Sequence, residues 1–477
     1  MPGAIVVAST MEATDITPST GKVRRDIIGG ERGQGKVWPH RVRRADGSKI
    51  TVAPTSDRLT ANAGLVEFDR SMRKLDVPRE LRRLFASLKK GPLVVYGMES
   101  QIRLLLDAHV AGESRVFGVE ALAADPLFVR LAGGTVPSID TLYRDLNRFD
   151  AAALAKLEAF LVRHGLDLEQ LRKHREHHLD IDTSVLSLNG EHEQAGVGYN
   201  PRNHGRPSYH PILGRSAELD TCVGAMLRSG DTAFGEADAP EVARIVRRMR
   251  GYLRPKDDLY VRIDAAADCT AILQAITAEK AMFVVKARLT NDLRRSVAET
   301  TTWRTVERDA SGKPITQVAD VDFARDEWRK RGLGVRVVAI RTTDPGAGKQ
   351  VCLWTHDDYA VKVYLTSSTE PAEDVASRYE GRAGIEPLIA EWKSGWGIGD
   401  MPCWGFAANH AALLIKLLAH NLMRRFARMV APRLARAHWR IDWLRRALIN
   451  VPGRLVCAAR SWTLYVPEDS ELACQRQ

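Results

Sequence analysis

The sequence predicts an α/β protein in which a mixed sheet is flanked by helical regions on both sides along the chain. Three observations support this fold class. Residues 178–188 alternate between apolar and polar side chains, as a half-buried strand does. Residues 240–287 alternate between helical and strand-like segments, which favours a sheet with helices on its faces. Residues 60–178 and 406–429 carry apolar side chains at helical spacing.

The composition excludes several classes of protein. The chain has 477 residues, enough for about three structural units of roughly 150 residues each. Apolar residues make up 44% of the chain, which excludes wholesale disorder, and no 18-residue apolar run predicts a membrane span. The 6 cysteines form no CxxC pair, which argues against a disulfide framework or a zinc module. Since the N-terminal residues do not resemble a secretory signal, a reducing cytosol is the predicted compartment.

The first two segments are predicted to be an arm and a helical domain. Residues 1–59 form an irregular basic arm in this interpretation, because small residues, glycines and scattered basic residues dominate them. Gly30–Lys36 approaches a phosphate-binding loop, but Val37 stands where the magnesium-holding Ser or Thr should be, and no strand precedes it. Residues 60–178 are predicted to be a helical DNA-binding domain, although the pattern is equally compatible with a plain helical bundle.

The later boundaries follow changes of pattern along the chain. We predict the first part of the sheet core at 179–288 and its second part at 351–405. Between them, residues 289–350 are polar, charged and rich in turn signals, and are predicted to be an insertion with short strands. Residues 406–477 are predicted to be a helical, basic C-terminal region.

Charge gives the first indication of a partner. The net charge is +11, and it is concentrated in two runs. Residues 421–460 hold ten arginines against a single acid, and residues 22–44 hold eight basic residues against two acids. Such runs are typical of a nucleic-acid surface or of a solvated helix face, and the pattern favours neither. The candidate DNA contacts in the C-terminal run are Arg424, Arg425 and Arg428, whose alternative role is pairing with acidic helices of the same fold.

One segment presents four polar side chains on a single helical stripe. In a continuous helix, Tyr379, Arg382, Glu386 and Lys393 lie within about 60° of one another at about 100° per residue. An ion-paired surface stripe is the ordinary explanation, because Arg382 and Glu386 form an i,i+4 pair.

Two aspartates elsewhere in the chain favour a functional role for this stripe over a surface ion pair. Asp182 lies on one strand-like segment and Asp264 at the end of another, so both could converge with Glu386 in a mixed sheet. Three carboxylates from separate elements could hold two divalent cations, and no Cys/His set competes for that role. Two such ions support phosphoryl transfer.

These residues belong to a recognisable set of blocks. The spacing Y-x2-R-x3-E-x6-K is accompanied by LDIDTSV at 179–185, GVGYNPRNHGRPSYHP at 196–211, RID at 262–264 and FAANHAALLIKLLAHNL at 406–422. Together the blocks resemble bacterial insertion-sequence DDE transposases with a Y-R-E-K signature. The similarity is to the "thirteen-eighty" branch of the insertion-sequence-four-like group, and it covers most of the chain.

The resemblance implies a ribonuclease-H-like catalytic core with a β-rich insertion between the second Asp and the Glu. The catalytic residues, which would hold two Mg²⁺ or Mn²⁺ ions, are Asp182, Asp264 and Glu386. The residues that would contact phosphates of the transposon end are Tyr379, Arg382 and Lys393. Trp303 and Trp328 of the insertion are candidates for stacking on a flipped base, with packing as the alternative.

Particular positions depart from the family pattern or leave a choice. Asp182 is preferred over Asp180, which shares its strand face, because the family has Thr after the metal-binding Asp. Relatives have Gly and an aromatic after the second Asp, whereas Ala265–Ala267 follow here and make Asp268 an alternative ligand. Pro387 lacks the N–H that a continuous helix needs and is predicted to kink the signature helix.

The function implied by the resemblance is cut-and-paste DNA transposition. Metal-activated water would cleave one strand, and the freed 3′-hydroxyl would form a hairpin intermediate before joining target DNA. The expected partners are duplex DNA, as terminal inverted repeats and target, and a second copy of the chain in a homodimer, with no membrane. The expected location is the bacterial cytoplasm, at the nucleoid. The alternatives are a related nuclease without strand transfer and an inactive DNA-binding derivative.

Overall fold

The computed structural model describes residues 41–43, 49–343, 355–356, 359–436 and 439–474. The chain divides into two compact units, residues 1–56 and 57–477. In the first unit, Arg41–Arg43 pairs antiparallel with Lys49–Thr51, and most of the predicted basic arm lies outside the described residues. No described helix is long and apolar enough to cross a membrane.

The bounds of the elements are as follows. The described strands are β1 Arg41–Arg43, β2 Lys49–Thr51, β3 Arg58–Thr60, β4 Glu176–Thr183, β5 Leu186–Ser187, β6 Ser208–Tyr209, β7 Ile212–Ser216, β8 Thr221–Met226, β9 Asp258–Ile263, β10 Met282–Lys286, β11 Arg304–Arg308, β12 Pro314–Val321, β13 Arg336–Thr343, β14 Thr355–His356, β15 Tyr359–Thr366, β16 Gly453–Ala458 and β17 Ser461–Tyr465. The described α-helices are α1 Leu65–Lys74, α2 Val77–Phe85, α3 Met98–Ala111, α4 Val119–Leu122, α5 Pro126–Leu131, α6 Ile139–Leu146, α7 Ala151–Gly165, α8 Leu168–Leu171, α9 Ala239–Arg250, α10 Thr270–Ala278, α11 Asn291–Glu299, α12 Asp326–Lys330, α13 Ala372–Glu380, α14 Ile385–Gly395, α15 Phe406–Val430, α16 Pro432–Arg436, α17 Ile441–Leu448 and α18 Glu471–Cys474.

A mixed sheet forms the centre of the second unit. Its main path runs in the order β11-β12-β13-β15-β10-β9-β4-β7-β8. Strand β4 pairs antiparallel with β7, which pairs antiparallel with β8. On its other side β4 pairs parallel with β9, and β9 pairs parallel with β10. This arrangement confirms the predicted ribonuclease-H-like core, with α9 and α10 as the helical connections that parallel strands require.

The residues between the second aspartate and Glu386 enlarge the same sheet. Strands β11, β12 and β13 pair antiparallel in sequence, and β13 pairs antiparallel with β15. Strand β15 returns beside β10, so the β-rich segment continues the core sheet. The β-rich insertion is therefore confirmed as part of the fold, while the exact limits 289 and 350 stay a prediction.

Helix α15 forms the core of the helical region, as its apolar sequence predicts. It spans 25 residues, and its burial extends around most of its circumference. A helix that is apolar on all sides must be surrounded by protein. It packs against α7 and α3 on the N-terminal side and against β8 of the sheet. The N-terminal helices and the sheet therefore share one hydrophobic core.

The continuous helix assumed for the stripe that carries Tyr379, Arg382, Glu386 and Lys393 is interrupted in the structure. Helix α13 ends at Glu380, a 3₁₀ turn covers Gly381–Gly384, and α14 begins at Ile385. Two glycines, which are poor helix formers, delimit the turn. Pro387 lies in the first turn of α14, where backbone N–H groups have no intrahelical partner, so it causes no kink.

Candidate functional site at the ends of the central strands

Asp182 lies at the end of β4, which is a central strand of the sheet. One carboxylate oxygen accepts a hydrogen bond from the Thr183 N–H at 2.8 Å. Burial raises the pKa of Asp182 to about 6, although the adjacent Arg382 cation lowers it. The carboxylates of Asp264 and Glu386 contribute to the rise, which shows that the three negative charges act on one another.

The register of the two parallel strands explains why Asp182 and Asp264 approach one another. Asp180 of β4 is the partner of Arg262 of β9. Asp182 and Asp264 each lie two residues further along, so they share one face at the same edge of the sheet. Neighbouring strands are about 4.8 Å apart, which brings the two backbones close together. The Asp264 side chain also caps the following turn, accepting a hydrogen bond from the Ala266 N–H at 2.9 Å.

Asp180 has a different environment from Asp182, although both face the same side of β4. Its side chain is 0% exposed. Arg262 donates to it through Nε at 2.6 Å and Nη2 at 3.0 Å, and Arg215 donates through Nη1 at 3.0 Å. A carboxylate held by two guanidinium groups has little capacity left for a metal ion. The structure thus supplies a physical reason for preferring Asp182.

Asp268, the alternative ligand, is also engaged elsewhere. Its buried carboxylate forms a bidentate pair with Arg325, at 2.6 and 2.8 Å, and accepts a hydrogen bond from the Arg288 N–H at 2.7 Å. Arg325 belongs to the β-rich segment, so this pair connects the segment to the core. These contacts favour Asp264 over Asp268 as the ligand.

Arg382 connects the carboxylates of two elements. Its Nη2 lies 2.9 Å from an Asp182 oxygen, and its Nη1 lies 3.5 Å from a Glu386 oxygen. The guanidinium is buried, whereas the Glu386 side chain is 67% exposed. The 3₁₀ turn therefore directs Arg382 inward to Asp182, and Glu386 remains open to solvent in the first turn of α14.

The other two residues of the signature, Tyr379 and Lys393, make separate contacts. The Tyr379 ring packs against Tyr364 with the centroids 4.6 Å apart, and burial raises the pKa of Tyr379 to about 12. Lys393 is exposed, and its Nζ donates to the Val185 carbonyl at 2.9 Å. Val185 lies three residues after Asp182 in the chain. Desolvation and the Arg202 cation lower the pKa of Lys393.

The donor set fits a hard divalent cation by its chemistry. Asp182, Asp264 and Glu386 supply only carboxylate oxygens, which Mg²⁺ and Mn²⁺ prefer. Their mutual repulsion, seen in the raised pKa of Asp182, is the electrostatic condition that a bound cation relieves. Among the described residues, no group of three or more His, Cys, Asp or Glu side chains is tight enough to hold a metal ion. The Arg382 guanidinium supplies positive charge between Asp182 and Glu386.

The three candidate arginines of α15 make contacts within the fold. Arg424 donates to the Trp439 carbonyl and to Glu391, both at 2.9 Å. Arg425 donates to the His164 carbonyl at 3.0 Å, and Arg428 donates to the Leu219 carbonyl. These contacts favour the alternative that the arginines are internal partners. DNA contact by these side chains stays a prediction.

The two tryptophans of the β-rich segment differ in exposure. Trp328 is 2% exposed and packs edge-on against Phe323, as a core residue does. Trp303 is partly buried, donates through Nε1 to the Thr300 carbonyl at 2.8 Å and lies under the Arg341 guanidinium. These surroundings favour packing for both side chains.

The sequence did not reveal the two arginines that pair with the buried Asp180 next to the site. Arg215 and Arg262 neutralise Asp180 inside the sheet, and nothing in the local pattern of β7 identifies Arg215. Arg262 did carry a signal, because it lies two residues before Asp264 and therefore on the same strand face.

Comparisons with known proteins give two findings. A family model described as "Transposase DDE domain group 1" matches residues 42–472. One similar solved structure is described as "Cryo-EM structure of piggyBac transposase synaptic complex with hairpin DNA". That chain is 13% identical over 80% of this chain and 78% of its own length, with a TM-score of 0.42. No curated protein sequence matches the chain.

Proposed function

The chain belongs to the DDE transposase domain family, and from this premise we propose that it moves its own insertion sequence by cut-and-paste transposition. The observation that carries the proposal is the position of Asp182 and Asp264 at the ends of two neighbouring parallel strands, with Arg382 joining Asp182 to Glu386. Three acids from two core strands and a following helix are the set that DDE chemistry requires. The blocks around them support membership of the Y-R-E-K, "thirteen-eighty" branch.

We assign the metal ligands to Asp182, Asp264 and Glu386, with two Mg²⁺ or Mn²⁺ ions as the cofactor. When bound, two such ions activate a nucleophilic oxygen and stabilise the leaving oxygen at phosphorus. The exposed Glu386 carboxylate can turn toward the aspartates, since its one polar partner among the described residues is Arg382 at 3.5 Å. Arg382 is then free to turn from Glu386 to a phosphate while it keeps Asp182.

The proposed reaction needs no covalent enzyme intermediate. Water attacks a phosphodiester at the element end, and the bond to the 3′-oxygen breaks to leave a 3′-hydroxyl. That hydroxyl attacks the opposite strand, which forms a hairpin and releases the flanking DNA. Water reopens the hairpin, and the resulting 3′-hydroxyl attacks a target phosphodiester. Each step exchanges one P–O bond for another.

The remaining signature residues are proposed to hold the DNA backbone. Arg382 and Lys393 would contact phosphates of the terminal inverted repeat, with Tyr379 beside them. Phosphate contacts position DNA without reading its sequence, so neither cation is expected to confer end specificity. Two protomers would bind the two element ends as a homodimer.

The test uses the DNA that flanks the reading frame. Inverted repeats on both sides would supply a matched substrate for the purified full-length protein. We expect cleavage in Mg²⁺ or Mn²⁺, none in EDTA, and a loss of at least about 100-fold on Glu386→Gln, because one metal ligand loses its charge. End binding in EDTA should persist. The matched control is Asp374→Asn, which neutralises an exposed acid of α13 and should leave cleavage unchanged.

Each alternative function has its own outcome in this experiment. Unchanged cleavage by Glu386→Gln would contradict the assigned metal site. Cleavage without joining of the ends to a target plasmid would indicate a nuclease without strand transfer. End binding without cleavage under any metal condition would indicate an inactive DNA-binding derivative.

A further inference from the structure

A rigid loop lies beside the carboxylate group and has no role in the proposed function so far. The 196–206 loop is the second half of the connection between β5 and β6. At its base the Gly196 and Ser208 backbones pair through two hydrogen bonds, of 3.3 and 2.9 Å. The neighbouring β5 and β6 pair antiparallel through Leu186 and Tyr209.

Side-chain amides fix the tip of the loop to β5. Asn200 donates to the Ser187 Oγ at 3.0 Å, and Asn203 donates to the same oxygen at 3.2 Å. The Asn203 N–H also donates to the Asn200 side chain at 3.2 Å. A Cβ at Gly198 would collide with the Gly230 carbonyl, so glycine permits close packing there. The loop is therefore held in one conformation.

The same short segment carries Lys393. Ser187 anchors the loop, and Val185, two residues earlier, accepts the hydrogen bond from Lys393. Val185 is in turn three residues after Asp182. Desolvation and the cation of Arg202 both lower the pKa of the Lys393 amine. The loop tip is thus adjacent to the end of the strand that carries Asp182.

The exposed surface of the loop combines one aromatic ring with positive charge. Tyr199 is 76% exposed, so its ring is open to solvent. Arg202 and Arg206 are exposed, and neither forms an ion pair with another described residue. No acidic residue occurs between Glu193 and Glu218, so the loop has nothing of its own to neutralise them.

An aromatic platform beside cations is the arrangement that binds unpaired nucleotides. Every base has a π-face, so stacking on such a ring tolerates any sequence, and the cations follow the backbone. We propose that Tyr199 stacks on an unpaired base at the DNA end beside the carboxylate group, while Arg202 binds the adjoining phosphate. This inference rests on the proposed function, because it takes the DNA end to lie at Asp182.

The test compares two duplexes of the same sequence, one blunt and one with a two-nucleotide single-stranded overhang. Binding of the full-length protein is measured by fluorescence anisotropy in EDTA at fixed salt, with 2-aminopurine in the overhang to report stacking. We expect tighter binding of the overhang duplex and quenched 2-aminopurine emission. Tyr199→Ala should abolish the preference, a loss of roughly 5- to 100-fold, the range that one stacked base contributes.

Two control variants separate stacking from other effects. Tyr199→Phe keeps the ring and should bind the overhang within about twofold of the wild type. Tyr465→Ala removes another exposed tyrosine, from β17, and should keep the full preference. Arg202→Gln should weaken binding to both duplexes and lower the salt slope by about one. Because Tyr199 is exposed, its variants should unfold at the wild-type temperature.

The contradicting results are distinct from those that test transposition. Equal affinity of the wild type for both duplexes would overturn the stacking proposal, and so would an equal loss on blunt and overhang duplexes in Tyr199→Ala. Either result leaves Glu386-dependent cleavage untouched. Conversely, cleavage that survives Glu386→Gln would contradict the assigned metal site without altering the overhang comparison, which is made in EDTA.

Discussion

Two aspartates on one face of β4 are expected to respond in opposite ways to the same substitution. Asp180→Asn removes the charge between Arg215 and Arg262. Oδ1 of Asp180 accepts one of the three charge-assisted hydrogen bonds and Oδ2 accepts two, so an amide that keeps its oxygen at the Oδ2 position loses one of them. One such bond is worth roughly 1.5–3 kcal/mol. Removing the negative partner of a buried ion pair also leaves uncompensated cations, and the whole change costs about 3–5 kcal/mol.

Asp182→Asn should show no such loss at pH 7. Burial raises the pKa of both aspartates, but Asp180 faces two arginines, whereas Asp182, with a pKa of about 6, faces one arginine and two carboxylates, so the charge of Asp182 is the less favourable in the folded protein. The amide removes that repulsion and should leave the free energy of unfolding unchanged or higher. The same variant should abolish cleavage of element ends, because an amide is a poor ligand for the proposed ions.

The assay is chemical denaturation of both full-length variants at pH 7, followed by fluorescence and by far-ultraviolet circular dichroism. We expect a lower free energy of unfolding for Asp180→Asn only. A wild-type value for Asp180→Asn would mean that the arginines do not depend on its charge. An equal loss in both variants would refute the distinction between a structural and a functional aspartate.

The free-energy difference between Asp182→Asn and the wild type should depend on pH. The carboxyl has a pKa near 3.8 when unfolded and about 6 when folded, so the folded wild type holds a proton that the unfolded chain releases. Wild-type stability relative to the variant should therefore fall by about 2 kcal/mol between pH 4 and pH 7, and a flat difference in denaturation over that range would contradict the shift. Changing Arg424, Arg425 and Arg428 together to Gln should lower the free energy of unfolding by about 3 kcal/mol or more, because each donates to a backbone carbonyl of the fold. An unchanged melting temperature with weakened DNA binding would instead assign these arginines to DNA.

Local patterns predicted the elements of the core well. Alternation along β4 and the helix–strand series through β10 depend on side chains close in sequence, and the structure confirms these elements. The interruption of the helix at residues 381–384 also has a local cause. The stripe assumed that the helix continues through two glycines, which are poor helix formers. The stripe still predicted that Arg382 and Glu386 lie together.

Contacts between distant segments could not be predicted from the sequence. Without the family resemblance, the sequence left Asp180 beside Asp182 and Asp268 beside Asp264 as candidate ligands. The structure pairs Asp180 with Arg262 through the strand register and Asp268 with Arg325, which comes from a distant segment. Likewise, the sequence of α15 indicates a charged surface, whereas in the structure its arginines donate hydrogen bonds to backbone carbonyls of distant segments.

Helix α15 has a consequence for how this protein can be divided. Asn421 binds both the N–H and the carbonyl of Cys222 in β8 at 2.8 Å, and its other contact is the Leu161 carbonyl of α7. Lys416 donates to the Gly397 and Asp400 carbonyls, just after α14. One helix therefore joins the N-terminal helices, the sheet and the segment after the signature helix. A fragment that ends before residue 406 would leave all three with open apolar faces and unpaired carbonyls. Deletion mapping of DNA binding would then measure misfolding, and point substitutions on intact chains are the appropriate tool.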